Sequence, residues 1–148
     1  MGNYCPGGAT PSTACPSKTT SLAGASALTD CKAEAGSYGP AGAAAASCPA
    51  GSYCPAGSTV AQACPSHKTS PASATDVSQC TPEAGYSGEG DACPAGSFCP
   101  AGSAQPTSCG TGGQSAAGST THTDCTAAAG LSLSHGNAGG CVCARARA

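Results

Sequence analysis

Along this chain the apolar positions follow neither the 3.6-residue period of a buried helix face nor the alternation of a half-buried strand. What recurs instead is cysteine. Positions 15, 31, 48, 64, 80, 93, 109, 125 and 141 are Cys, stepping by 16, 17, 16, 16, 13, 16, 16 and 16 residues, with Ser, Thr, Ala and Gly between them. Glycine at fixed offsets supplies positive φ for tight turns, and Cys-Pro presets φ near −65° while removing a donor. This pattern predicts short two-stranded pieces and turns, with neither long helices nor regular strands beyond two to four residues. The one helix-compatible run, AGAAAASC at 41–48, is too short to stand alone.

The segments between ladder cysteines are of three kinds, in rotation. The first carries an extra cysteine, as in CPAGSYCPAGSTVAQAC (48–64), CPAGSFCPAGSAQPTSC (93–109) and the shortened NYCPGGATPSTAC (3–15). The second is rich in Ser and Thr: CPSKTTSLAGASALTDC (15–31), CPSHKTSPASATDVSQC (64–80) and CGTGGQSAAGSTTHTDC (109–125). The third keeps an Ala-Gly phrase: CKAEAGSYGPAGAAAASC (31–48), CTPEAGYSGEGDAC (80–93) and CTAAAGLSLSHGNAGGC (125–141). Three segments make one unit of 45 to 49 residues. The organisation expected is a first unit over 1–31, a second over 31–80, a third over 80–125, and a terminal rung with a frayed tail over 125–148. Aligned on Cys5 and Cys54, Met1 stands where Ala50 stands, so the array is expected to begin before this chain does.

Composition explains why cysteine must carry the fold. There are four Leu, no Ile, one Met, one Phe and no Trp, so the 39% hydrophobic content is mostly Ala and Cys. Alanine methyls remove little area from water, at roughly 25 cal/mol per Å², against a large ordering entropy. With 13 cysteines and only 8% charged residues, the chain reads as a disulfide scaffold rather than a disordered one. The expected fold is therefore small, disulfide-rich and poor in regular secondary structure, with short β-hairpins in an elongated repeat rod. Disulfides place it in a secreted or extracellular surface setting.

Four cysteines per unit allow three connectivities, among which sequence alone does not choose. Closure within the chain favours Cys5–Cys15, Cys31–Cys48, Cys54–Cys64, Cys80–Cys93, Cys99–Cys109 and Cys125–Cys141, stranding only Cys143. The five aromatics keep a matching register, with Tyr4, Tyr53 and Phe98 before the extra cysteine and Tyr38 and Tyr86 after the Ala-Gly phrase. Packed on a half-cystine and a proline, each is expected to give its rung a miniature core.

At CPAGSYCPAGS and CPSHKTSPASATDVSQC the sequence resembles the cysteine-rich repeats called ephrin-receptor-like, themselves similar in look to tumour-necrosis-factor-receptor modules. The resemblance covers nearly all of residues 3–143. It implies long arrays in extracellular surface proteins of the kind found in protists, green algae and animals. The chain departs from the usual Cys-x-x-Cys-Pro-Ala-Gly at CKAEAG, CTPEAG and CTAAAG, which lack the second cysteine.

Candidate chemistry is sparse. Structural zinc wants cysteines two to four residues apart with further partners, whereas Cys141-Val142-Cys143 is too tight and alone, so no metal and no cofactor are expected. His67, His122 and His135 lie in Ser/Thr/Gly-rich loops without a nucleophile frame, and no enzyme activity is expected. The net charge of −2 gives no case for nucleic acid, and no apolar run approaches a membrane span of about 20 residues. Dense hydroxyls beside Pro and Ala suit O-glycosylation, with Thr10, Thr19, Thr20, Ser21, Ser70, Ser119, Thr120 and Thr121 as candidates. Arg145 and Arg147 read as a frayed tail. The function expected is a structural extracellular protein, a stalk or the subunit of a surface filament or cell-coat fibre. Its partners would be copies of itself, neighbouring repeats of a longer chain, or glycans. The alternative is a receptor or adhesion ectodomain for a protein ligand, and a small secreted inhibitor ranks third.

Overall fold

The computed structural model describes residues 2–8 and 11–128, together with the backbone of 131–135 and 141–145. Each kind of segment folds as one hairpin. In the first kind, Asn3–Tyr4 pairs antiparallel with Thr13–Ala14, Ser52–Tyr53 with Gln62–Ala63, and Ser97–Phe98 with Thr107–Ser108. In the second, Thr19–Thr20 pairs with Lys32–Ala33 and Gly113–Gln114 with Thr126–Ala127; the strands Lys68–Thr69 and Thr81–Pro82 hold the same register positions. In the third, Ser37–Tyr38 pairs with Ala46–Ser47 and Tyr86–Ser87 with Asp91–Ala92. Two-residue strands are what remain when glycine and proline interrupt every run. The exception is Leu131–His135 with Cys141–Arg145, whose five-residue strands exceed the expected two to four. The Ala-rich run at 41–48 is turn followed by strand rather than helix.

The disulfides correct the expected connectivity. Cys15 joins Cys31, Cys64 joins Cys80 and Cys109 joins Cys125, each across 16 residues, while Cys48 joins Cys54 and Cys93 joins Cys99, each across six. None of the six pairs favoured by closure within the chain forms among the described residues. Of the twelve candidates, Cys5 is a free thiol, and the side chain of Cys141, like that of Cys143, lies outside the described residues. The physical reason is visible at CPAGSYC. Gly51 takes φ +76°, the chain reverses, and Cys54 comes back to Cys48 with Cα atoms 5.9 Å apart, inside the ordinary disulfide range. A six-residue bridge of this kind joins the end of one hairpin to the first strand of the next, so it links rungs rather than closing each rung on itself. In the chain-entropy picture a 16-residue bridge is worth about 3 kcal/mol and a six-residue one about 2 kcal/mol.

Backbone hydrogen bonds run from hairpin to hairpin in the same register. Gly36 N–H donates to Cys54 C=O at 2.8 Å and Cys48 N–H to Gly36 C=O at 2.9 Å; Gly85 and Cys93 repeat this with Cys99 at 2.9 and 2.8 Å. The core is the cystines themselves. Cys31, Cys48, Cys54, Cys93 and Cys99 are fully buried, and the six largest fully buried side chains are all cysteines. The expected aromatic cores are not formed in that way: Tyr4, Tyr38, Tyr53, Tyr86 and Phe98 are all only half-buried.

Contacts divide the chain into two units, one of Met1–Pro65 with Thr69–Cys80, the other of Ser66–Lys68 with Thr81–Ala148. No helix among the described residues is long and apolar enough to cross a membrane.

Candidate functional site

The second kind of segment carries the most polar chemistry, and its local structure decides which groups are available. Before each closing cysteine stands a one-turn 3-10 helix, Leu28–Asp30, Val77–Gln79 and His122–Asp124. The residue preceding the cysteine folds back over the turn. Asp30 Oδ2 accepts from Ser26 and Ala27 N–H, both at 2.9 Å, and Asp124 Oδ2 from Thr120 and Thr121 N–H at 2.8 and 3.0 Å. Gln79 Oε1 takes the same place with Thr75 and Asp76 N–H, at 2.6 and 3.2 Å. Donation from Ala27 and then Ser26 holds the Asp30 carboxyl below its ordinary range, and Thr121 and Thr120 do the same for Asp124. Asp76 is lowered by the Ser78 N–H and hydroxyl, and Glu89 by Lys68, whose Nζ stands 2.8 Å away.

The hydroxyl candidates separate by burial. Thr19, Ser21 and Ser70 are buried and already engaged. Thr19 Oγ1 donates to Pro16 C=O at 2.6 Å, Ser21 Oγ to Asn3 C=O at 2.6 Å, and Ser70 Oγ to Ser52 C=O at 2.7 Å. A transferase cannot reach them in the folded chain. Thr20 and Thr121 are exposed, Ser119 and Thr120 half-buried, and Ser119 Oγ donates to Ala116 C=O at 2.8 Å. Thr10 lies outside the described residues, as do the side chains of His135 and Arg145 and all of Arg147.

The histidines are less solitary than loop composition suggests. His67 stacks on Tyr86 with ring centroids 3.9 Å apart and planes 8° from parallel, and His122 meets the edge of Phe98 at 6.4 Å. These contacts are structural: stacking fixes the ring of an exposed residue whose backbone takes φ +59°. Among the described residues no group of three or more His, Cys, Asp or Glu stands together.

One concave surface is open in the first unit. A groove of 370 Å³ runs between Asn3, Cys5, Ser12 and the stretch Leu22–Ser26, and a second of 580 Å³ continues past Ser26 to Lys32 and Ala56. Leu22 is 79% exposed at their junction. Sequence reasoning missed this surface, although the spacing held a signal. Ser21, Ser70 and Ser115 stand six residues after Cys15, Cys64 and Cys109, and each donates to the first strand 18 residues back, Ser115 to Ser97 C=O at 2.6 Å. That tie brings Leu22 beside Asn3 and Cys5. No family model, curated protein or solved structure matches the chain.

Proposed function

We propose that this chain is a structural extracellular module, a disulfide-laddered repeat rod that acts as a stalk or as the subunit of a surface filament or cell-coat fibre. The observation that carries the reading is registered repetition. The contacts made by Gly36, Cys48, Cys54 and Ser70 are repeated by Gly85, Cys93, Cys99 and Ser115. Each second-kind segment is closed by its own cystine and two six-residue cystines join a third-kind hairpin to the strand that follows it, so these loops stay shut when the chain is stretched. Five disulfides fit an oxidising, extracellular setting. The resemblance to ephrin-receptor-like arrays supports the same reading. Exposed Thr20 and Thr121 are the hydroxyls best placed for O-linked sugar, with Ser119 and Thr120 behind them. Negative-stain images of native material should show regular fibres or extended stalks, and monodisperse compact particles would refute the reading. Intact mass should exceed the bare 13.7 kDa by sugar increments, and a mass equal to the bare chain would remove the glycans alone.

A second reading, a receptor or adhesion ectodomain, draws on exposed Leu22, Leu28, Val60 and Val77, since a protein ligand would anchor on such side chains. Capture of one soluble ligand at 1:1 stoichiometry would favour it.

A further inference from the structure

Each second-kind segment is closed by a cystine across 16 residues, yet these cystines are not equally covered. Cys109 is 1% exposed and its partner Cys125 7%. Cys64, joined to Cys80, is only half-buried, as is Cys15 in the same register. The cause lies four residues further on. The turn after Cys109 closes on it through Gly113, where a Cβ would stand 2.5 Å from the Cys109 carbonyl oxygen and 2.8 Å from the Cys109 Cβ. The counterparts of Gly113 are Thr19 and Lys68, whose Cβ atoms forbid that approach and leave the preceding cysteine open.

The stretch enclosed by Cys64–Cys80 is itself a cover. Ser73 N–H donates to Cys48 C=O at 2.8 Å, Cys54 N–H to Ala74 C=O at 2.9 Å and Gly51 N–H to Ser70 C=O at 3.0 Å, while Ser70 Oγ donates to Ser52 C=O at 2.7 Å. These four bonds strap residues 70–74 across the Cys48–Cys54 loop, whose two cysteines are fully buried. Residues 115–119 strap Cys93–Cys99 in the same way, with Gly118 N–H on Cys93 C=O at 2.8 Å and Cys99 N–H on Ser119 C=O at 3.0 Å. That second strap is held by the covered cystine, Cys109–Cys125.

We propose that Cys64–Cys80 is a reactive cystine, a site of exchange for a small extracellular thiol of the glutathione class, and that opening it uncovers Cys48–Cys54 to the same reagent. Access governs exchange: a half-buried cystine is met directly, whereas a buried one waits for the structure to open around it. Once the 16-residue cross-link is broken, the lost loop-closure term raises the opening of the 70–74 strap about 100-fold. Residues 48–80 thereby become extensible under reduction while 93–125 stay closed. The property is independent of whether the array is a stalk or a receptor.

The exchange balances in two steps. A small thiolate attacks Cys64 Sγ, the Cys64–Cys80 bond breaks, and Cys80 leaves as a thiolate, with a mixed disulfide remaining on Cys64. A second small thiolate attacks the outer sulfur of that mixed disulfide and releases the Cys64 thiolate. Two small thiols are oxidised to one small disulfide, one cystine is reduced to two thiols, and the two protons pass from the small thiols to the cysteines.

The test is timed alkylation of the native full chain. Thiols free at the outset are blocked with N-ethylmaleimide, reduced glutathione is added, and samples are quenched with iodoacetamide and mapped by peptide mass. Cys64 and Cys80 should be labelled at least about tenfold faster than Cys109 and Cys125, with Cys48 and Cys54 following them and Cys93 and Cys99 last. Gly113→Ala should speed labelling of Cys109 and Cys125 and leave the Cys64 rate unchanged. A chain carrying both Cys64→Ser and Cys80→Ser should open Cys48–Cys54 about 100-fold faster than wild type, and an unchanged rate at Cys93–Cys99 shows that the rest of it is folded. Equal rates at Cys64 and Cys109, Cys48–Cys54 opening before Cys64–Cys80, or no effect of Gly113→Ala on Cys109 would overturn the proposal.

Discussion

Replacing Gly36 by alanine tests whether consecutive hairpins are seated by backbone contact. Gly36 takes φ +80°, and a Cβ there would stand 2.7 Å from the Ser73 carbonyl oxygen. The left-handed backbone costs an alanine about 1–2 kcal/mol. The oxygen belongs to backbone, so relieving the overlap must lengthen the neighbouring bonds, Ser73 N–H to Cys48 C=O and Gly36 N–H to Cys54 C=O, both 2.8 Å; loss of one adds about 0.5–1.5 kcal/mol. Together these give about 1.5–3.5 kcal/mol, a rise of about 10- to 300-fold in the opening equilibrium at 1.4 kcal/mol per decade. Gly102→Ala is the control, because Gly102 has φ +81° with nothing within 4 Å of its added methyl, and it should cost only the backbone term. Native-state hydrogen exchange at the Cys48 and Ser73 amides reads the effect directly. Equal loss of protection in the two variants would show that the close approach at Gly36 carries no energy, and the account of rung seating would fail.

Other positions give independent tests. Ser73 holds φ +63° where its register equivalents are Gly24 and Gly118, at +86° and +79°. Ser73→Gly should therefore stabilise the fold by about 0.5–1 kcal/mol, the relief of the left-handed strain less the entropy of glycine, and a destabilised variant in denaturant titration would contradict this. Ser70→Ala removes the donor to Ser52 C=O and should cost about 1 kcal/mol, whereas Thr20→Ala, at an exposed site, should be near neutral in the same titration. The Asp30 and Asp124 carboxyls are held low in the folded chain, so their contribution is present above the usual carboxylate pKa of about 3.9 and is lost as pH falls through their folded values. Acid titration followed by NMR should release the Ala27 and Thr121 amides while leaving Thr75, capped by neutral Gln79, in place, and simultaneous release of all three would be the wrong result.

How far the sequence reveals this molecule depends on which interactions repeat. The 16-residue ladder, the three kinds of segment and the two-residue strands follow from spacing, because glycine and proline leave no other backbone available. The conformation at Lys18, His67 and Gly112 is also written in register, each standing three residues after a cysteine with φ of 57°, 59° and 75°, although only the glycine announces it. Connectivity was not legible, because closure within the chain assumes that every cysteine finds its partner there, and among the described residues Cys5 has none. The aromatic register marks strands, Tyr53 and Phe98 standing half-buried in the first strand of their hairpins while cystine sulfur takes the fully buried positions. Among the hydroxyls, composition could not distinguish Ser70, buried and donating to Ser52, from Thr20 on the surface, because burial follows from contact between hairpins rather than from local sequence.

The central claim is a cystine connectivity in which each second-kind segment is closed from Cys15 to Cys31 and from Cys64 to Cys80, and lysine-specific cleavage of the unreduced, urea-denatured monomer tests it most directly. Cuts after Lys18, Lys32 and Lys68 give fragments 1–18, 19–32, 33–68 and 69–148. The observed bridges hold 1–18 to 19–32 through Cys15–Cys31 and 33–68 to 69–148 through Cys64–Cys80, so two disulfide-linked species should appear. Release of free 1–18 and free 69–148, with 19–32 held to 33–68 through Cys31 and Cys48, would contradict it.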